Sequence, residues 1–188
     1  MVVGGLDLAA YEYRCSGFAV IDEDSGSVEE LACIYRDSEI IENTSRFSID
    51  VLAIDAPIAK VPRFREVDRE AIRRGFRVMP PTFRHMKILT VRAWRLYQFL
   101  SSIGVTVIET HPRSALKNSG LSTVDEVCRK LNVSMGRYID RLKHKDLRDA
   151  LISALVALCY RKKFCIEMIE AVDGVIYIIS SLQTISFR

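Results

Sequence analysis

The chain has 188 residues, 49% of them hydrophobic, with 27 basic and 24 acidic side chains and a formal net charge of +3. That length suits one domain, residues 1–188, with a sizeable core, and no apolar run reaches the roughly 18 residues that a membrane-spanning helix needs. The chain starts in a strand without a basic segment or small-residue cleavage site, so the sequence predicts a cytoplasmic protein with no membrane partner.

Residues 2–9 read as a buried central strand that carries one carboxylate, Asp7, near its end. Burying an unpaired carboxylate is costly or forces it to hold a proton, so Asp7 calls for a cation, a set of donors or a solvent-facing strand end. Gly4, Gly5 and Ala9 leave room for a close approach to the backbone. Residues 15–21 and 28–35 read as two further strands around the turn residues 22–27, which makes an antiparallel meander. A short helix follows over about residues 38–45. Residues 51–55 are a brief apolar run stopped by Pro57, the pattern of a buried parallel strand, and the run ends on Asp55.

Residues 60–103 read as a basic helical insertion. Val67, Ala71 and Ile72 line one face of its first helix, with Gly75 as terminator. Pro80 and Pro81 break the chain before a longer helix at about 83–103. There Met86, Leu89, Ala93, Leu96, Leu100 and Ile103 recur at spacings of three and four and make a core face, with Arg84, Arg92 and Arg95 off that stripe.

Residues 105–109 form the next strand and end on Glu109. A helix at 122–131 has Ser122 as its expected N-cap. Another at about 145–161 turns Leu147, Leu151, Leu155 and Leu158 inward, while Ala150, Ala154 and Ala157 permit close packing. Residues 174–179 read as a last edge strand, and the apolar stretch near 176–185 is a candidate edge for pairing two copies as a homodimer. Five cysteines, at 15, 33, 128, 159 and 165, form no CxxC pair. They read as buried thiols rather than a zinc site or disulfide scaffold, with Cys159–Cys165 the bridge left open.

Between Lys60 and Arg95 eleven bases face three acids, so a positive lobe is attached to a mildly acidic body. Such a lobe suits a polyanion, and a guanidinium fork grips phosphate bidentately. Arg63, Arg65, Arg69, Arg73, Arg74, Arg77, Arg84, Arg92 and Arg95 are therefore the candidate nucleic-acid contacts. The competing reading is a solvated face, for which Glu70 and Arg74 supply one i, i+4 pair.

Three apolar strands end on acids: Asp7, Asp55 and Glu109. In a parallel sheet their carboxyl ends share one edge, where open α/β sheets bind ligands. Asp146 and Asp149 add two carboxylates to the first turn of the last long helix. Acids that converge repel one another unless divalent cations lie between them, and hard oxygen ligands select Mg²⁺ or Mn²⁺. Asp7, Asp55, Glu109 and Asp149 are the candidate catalytic residues, with Asp146 a further metal ligand. Read singly, Asp146 and Asp149 also make a capping pair at a helix start, and Asp55 also begins a turn. His111 is a candidate proton shuttle or phosphate ligand, or a structural histidine at a strand end.

Gly5-Leu6-Asp7-Leu8-Ala9, Asp55-Ala56-Pro57-Ile58, Arg65-Glu66-Val67-Asp68-Arg69-Glu70, Glu109-Thr110-His111-Pro112 and Asp149-Ala150-Leu151 occur in an order that resembles the predicted nucleases of domain of unknown function 429, in the ribonuclease H-like superfamily. The last helix is also similar to that of RuvC-type resolvases, where two acids three apart open the helix. The resemblance spans about residues 4–160. It implies a mixed five-stranded α/β sheet with helices on both faces, and a carboxylate site for two Mg²⁺ or Mn²⁺ ions. It departs at Ala59-Lys60, at Arg113 and at Lys145, which concern the loops rather than the acids. The function expected is a metal-dependent nuclease acting on DNA or RNA. The rivals are an ATP-dependent phosphotransferase of the actin-like superfamily, whose second lobe and Gly-rich phosphate loops are not visible, and a non-catalytic nucleic-acid-binding protein.

Overall fold

The computed structural model describes residues 1–79 and 83–183, so the expected break at Pro80-Pro81 lies outside the described residues. Strands β1 (Val2–Asp7), β2 (Ser16–Asp22), β3 (Ser27–Ile34), β4 (Ile49–Ile54) and β5 (Thr106–Glu109) form one sheet in the order β3-β2-β1-β4-β5. The first three are antiparallel neighbours, whereas β4 runs parallel to β1 and β5 parallel to β4. This is the mixed α/β sheet that the family resemblance implies.

Alternation along each strand divides the core in two, as the period-2 geometry of a strand requires. Val3, Ala19, Ile21, Val51, Ala53 and Ile108 face one side, while Leu6, Phe18, Val20, Leu52 and Ile54 face the other. Helices α1 (Asp37–Arg46) and α3 (Arg84–Ser102) cover the second side through Ile40, Ala93, Leu96 and Leu100. Ile103 and Met86, expected on that core face, are not buried. Between α1 and α3 comes α2 (Glu66–Arg73), whose Val67 and Ala71 join the first side.

Helices α4 (Pro112–Ser119), α5 (Val124–Lys130) and α6 (Lys145–Lys162) follow β5, with a 3₁₀ turn at Gly136–Lys143. Helix α6 is buried almost throughout from Leu147 to Cys159. It lies against the middle of the sheet because β1 and β2 have glycine where it crosses. A Cβ on Gly5 would collide with Ala154 N and Ala150 O, and one on Gly17 with Asp146 O. No helix among the described residues is long and apolar enough to cross a membrane.

Several local expectations are corrected. Helix α4 was not anticipated, because Pro112 reads as a breaker. Here it stands at the first turn, where its missing N–H costs nothing, and Gly120 at φ +75° ends the helix. The last strand, β7 (Gly174–Ile179), does not edge the main sheet. It pairs with β6 (Ile166–Ala171) in a separate antiparallel ribbon, tied to β5's end by a Thr110–Tyr177 bridge. The cap of α5 is Thr123, whose Oγ1 accepts from Glu126 N, rather than Ser122. The thiols expected at Cys15, Cys33, Cys159 and Cys165 form two disulfides, Cys15–Cys33 and Cys159–Cys165, and Cys128 is a buried free thiol. In the first pair, β2 and β3 bring two cysteines 18 residues apart to a Cα separation of 5.0 Å, within disulfide range.

Candidate active site

The register between β1 and β4 builds the site. Leu6 pairs with Ile54, and Asp55 N donates to Leu6 O at 2.8 Å. The next residue on each strand, Asp7 and Asp55, therefore leaves the sheet beside the other. Both have the parity of Val3, Val51 and Ala53, so their side chains head for the face that α6 covers. On that face the first turns of α6 supply Asp146 and Asp149. Asp7, Asp55 and Asp149 line a cleft of about 350 Å³, whose wall also includes Arg65, Arg77, Glu109, His111, Arg113 and Lys145.

The acids from β1, β4 and α6 act on one another through their charges. Burial pushes the Asp7 carboxyl up to about 7, with repulsion from Asp149 and Asp146 added and Lys145 easing it. Burial likewise raises Asp55 well above the usual carboxylate range, reinforced by Asp7 and Asp149. Lys145 Nζ is 3.2 Å from Asp149 Oδ2, one helical turn away. Within the acid cluster Lys145 is the nearest cation in contact, with Arg77 and Arg113 elsewhere on the cleft wall. The hard oxygen donors of the acids fit Mg²⁺ or Mn²⁺. Among the described residues, the group of three potential ligand atoms that all lie within 4.8 Å of one another is Cys15, Cys33 and His144.

Glu109 does something other than expected. Ile108 faces the α6 side, so Glu109 has the opposite parity, in register with Ile54. Arg65 Nη1 and Nη2 are 2.7 and 2.5 Å from its two oxygens, and Ile58 N donates to Oε2 at 2.7 Å. Burial pulls the Glu109 carboxyl upward against Arg65. Burial also works against the Arg65 charge, but Glu109 and Asp68 outweigh it and its pKa rises. With both carboxylate oxygens held by one guanidinium, the ionised pair is the form that the geometry supports. Glu109 lines the same cleft as Asp7, Asp55 and Asp149, and through Arg65 and Ile58 it ties the loop after Asp55 to α2.

The basic lobe is corrected in the same way. Arg65 is buried against Glu109 and Asp68. Arg92 is also buried, donating to Asp37 Oδ1, Ala9 O and Tyr35 O at 2.7, 2.7 and 2.8 Å. Arg65 nevertheless reaches the wall of the cleft. Arg69 pairs with Glu66, Arg73 and Arg74 with Glu70, and Arg63 with Asp173 at 3.9 Å. Arg84 and Arg95 are exposed on α3, but Arg95 lies eleven residues, roughly 16 Å, beyond Arg84 along the helix. Arg77 is exposed and lines the cleft.

Arg113 and Lys145 were not anticipated as site residues. The signal for Lys145 was its i, i+4 spacing to Asp149; Arg113 reaches the cleft only because α4 begins at Pro112. His111 Nδ1 is 2.6 Å from Ser114 Oγ. Burial and Arg113 lower its pKa against the pull of Asp149, which keeps the imidazole neutral.

No family model matches the chain, so the likeness to domain of unknown function 429 gains no support there, and no curated protein matches it. Solved structures do match. RuvC of T. thermophilus in complex with Holliday junction substrate aligns at a TM-score of 0.53 and 14% identity, over 86% of this chain and 96% of that one. A second Thermus thermophilus RuvC structure aligns at 0.53 and 16% identity, over 87% and 97%. The chain has the ribonuclease H-like α/β fold that these structures share.

Proposed function

We propose that this chain is a divalent-metal-dependent nuclease that cleaves phosphodiester bonds of DNA or RNA at the Asp7–Asp55–Asp149 cleft. The observation that carries the reading is that β1, β4 and α6 bring Asp7, Asp55 and Asp149 to one cleft, where burial first and neighbouring acids second raise the Asp7 and Asp55 carboxyls. A further support is the fold, shared with a RuvC seen in complex with a Holliday junction substrate.

In this reading Asp7, Asp55 and Asp149 would hold the divalent ions, with Asp146 a further ligand. When bound, Mg²⁺ or Mn²⁺ supplies Lewis-acid stabilisation of the charge that develops at a phosphodiester. Lys145 offsets part of the acid charge and sits where a non-bridging phosphate oxygen would enter. Arg77 and Arg113, which have no ion-pair partner among the described residues, grip the flanking backbone. His111, neutral and held at Nδ1 by Ser114, has Nε2 left to accept or return a proton. Residues 1–188 act as one domain, with 60–103 inserted between the two strands that follow β1 in the sheet.

Incubation with Mg²⁺ or Mn²⁺ and single-stranded, duplex, hybrid and branched substrates tests the proposal. Cleavage of at least one class is expected, and Asp7→Asn abolishes it. Cleavage that Asp7→Asn leaves unchanged, or ATP-dependent phosphorylation of a small substrate in place of cleavage, overturns it.

A further inference from the structure

The disulfide between β2 and β3 lies beside the start of α6. Cys15 immediately precedes β2, and Cys33 on β3 is paired with Gly17 across the hairpin. Gly17 is also where the first turn of α6 rests, since a Cβ there would meet Asp146 O. That contact carries His144, the residue that precedes α6, to the two sulfurs. A ring nitrogen and both Sγ atoms all lie within 4.8 Å of one another. His144 is exposed and the cysteines are half-buried, so a reductant and an ion have access. The His144 side chain caps no backbone group, and its nearest charged neighbour is Asp146, with Oδ2 3.9 Å from Nδ1.

We propose that Cys15, Cys33 and His144 form a second, redox-gated metal site that takes a thiolate-preferring divalent cation such as Zn²⁺ once the disulfide is reduced. Two sulfurs bound at about 2.3 Å around a tetrahedral ion lie about 3.8 Å apart, which the observed cluster accommodates once the S–S bond opens. A phosphine opens that bond. Phosphorus takes the oxygen of one water to become the phosphine oxide, two electrons pass to the sulfur pair, and the two water protons end on two thiols. Binding of the ion releases those protons, makes two metal–sulfur bonds and one metal–nitrogen bond, and leaves a water in the fourth position. Ligand softness separates the sites: oxygen donors at the acid cleft favour Mg²⁺ or Mn²⁺, thiolates and imidazole favour Zn²⁺. An ion here pins the β2–β3 hairpin to the helix that bears Asp146 and Asp149.

The site is independent of the nuclease reading and is tested without an activity assay. The phosphine-reduced full chain is titrated with Co²⁺ and followed by thiolate-to-cobalt charge-transfer absorption. One equivalent per chain is expected to saturate that band, which the oxidised protein lacks. Cys15→Ser and Cys33→Ser each abolish it, while the double variant Cys159→Ser/Cys165→Ser keeps it. His144→Ala, at an exposed position, weakens Co²⁺ binding by at least about tenfold, the loss that even an outer-shell partner causes. A reduced wild-type chain without the band, or a band that persists at full strength in Cys15→Ser, overturns the proposal.

Discussion

Arg65 meets Glu109 with Nη1 and Nη2 at 2.7 and 2.5 Å from its two carboxylate oxygens, and the same guanidinium reaches both oxygens of Asp68. The pair joins the start of α2 to the carboxyl end of β5, and Ile58 N extends the link to the loop after Asp55. Removing one partner strands a buried charge, at a cost of about 3–5 kcal/mol. Arg65→Ala is expected to lower the calorimetric melting temperature sharply, and Glu109→Gln, which keeps part of the hydrogen bonding, to lower it less. Folded Glu109→Gln keeps its Mn²⁺ affinity within a few-fold. Loss of ion binding in that variant places Glu109 in the ligand set.

Asp7→Asn removes a charge that its neighbours oppose. Without divalent ions at pH 8 the variant is expected to be more stable than the parent, by on the order of a few kcal/mol. Mn²⁺ at 100 times its dissociation constant stabilises the parent by about 2.7 kcal/mol and the variant hardly at all. Thermal melts with chelator and with Mn²⁺ give both comparisons.

The raised Asp7 carboxyl also sets a pH dependence. In the folded, ion-free chain it holds its proton to about pH 7, whereas the unfolded chain releases it near the ordinary value of 3.8. Between those values the native state binds the extra proton, so ion-free stability falls as pH rises through that window. Asp55, raised for the same reasons, acts in the same direction. A divalent ion must displace the proton, so Mn²⁺ affinity rises with pH until Asp7 is ionised and then levels off. Titration calorimetry across that range checks the slope; a flat profile contradicts it.

The basic side chains separate into two kinds. Arg77→Ala and Arg113→Ala are each expected to weaken nucleic-acid binding without changing the melting temperature, and to lower the salt slope by about one. Arg92→Ala is expected to unfold the chain more readily, because a buried guanidinium and its three part-buried acceptors lose one another. Binding measured against salt, beside melting curves, distinguishes the two.

Gly5→Ala tests the seating of α6. The added methyl meets helix backbone rather than a flexible side chain, so relief requires the helix to shift. A loss of about 3 kcal/mol or more is expected, at the upper end of overpacking, together with weaker ion binding because Asp149 moves with α6. Denaturant melts and ion titration read both effects.

The sheet, with Asp7 and Asp55 at its edge, was legible because β1 and β4 each follow an apolar run that stops on an acid. Glu109 shows the limit of that rule. Strand-end position alone does not say which face a side chain takes, and one place along β5 reverses it relative to Ile108. The arginine lobe misled for a related reason, since charge counted along a segment says nothing of the distant acceptors that bury Arg65 and Arg92. Neither the 18-residue span between Cys15 and Cys33 nor a proline that opens α4 leaves a local pattern. Both become visible only when β2 meets β3 and α4 starts beside the cleft.

A crystal of the chain soaked in Mn²⁺ and measured for anomalous scattering addresses the acid cleft most directly. Density is expected between Asp7 and its neighbours Asp55 and Asp149, with a second peak about 4 Å away. Manganese bound elsewhere on the surface, with those three carboxylates empty and protonated, contradicts the account.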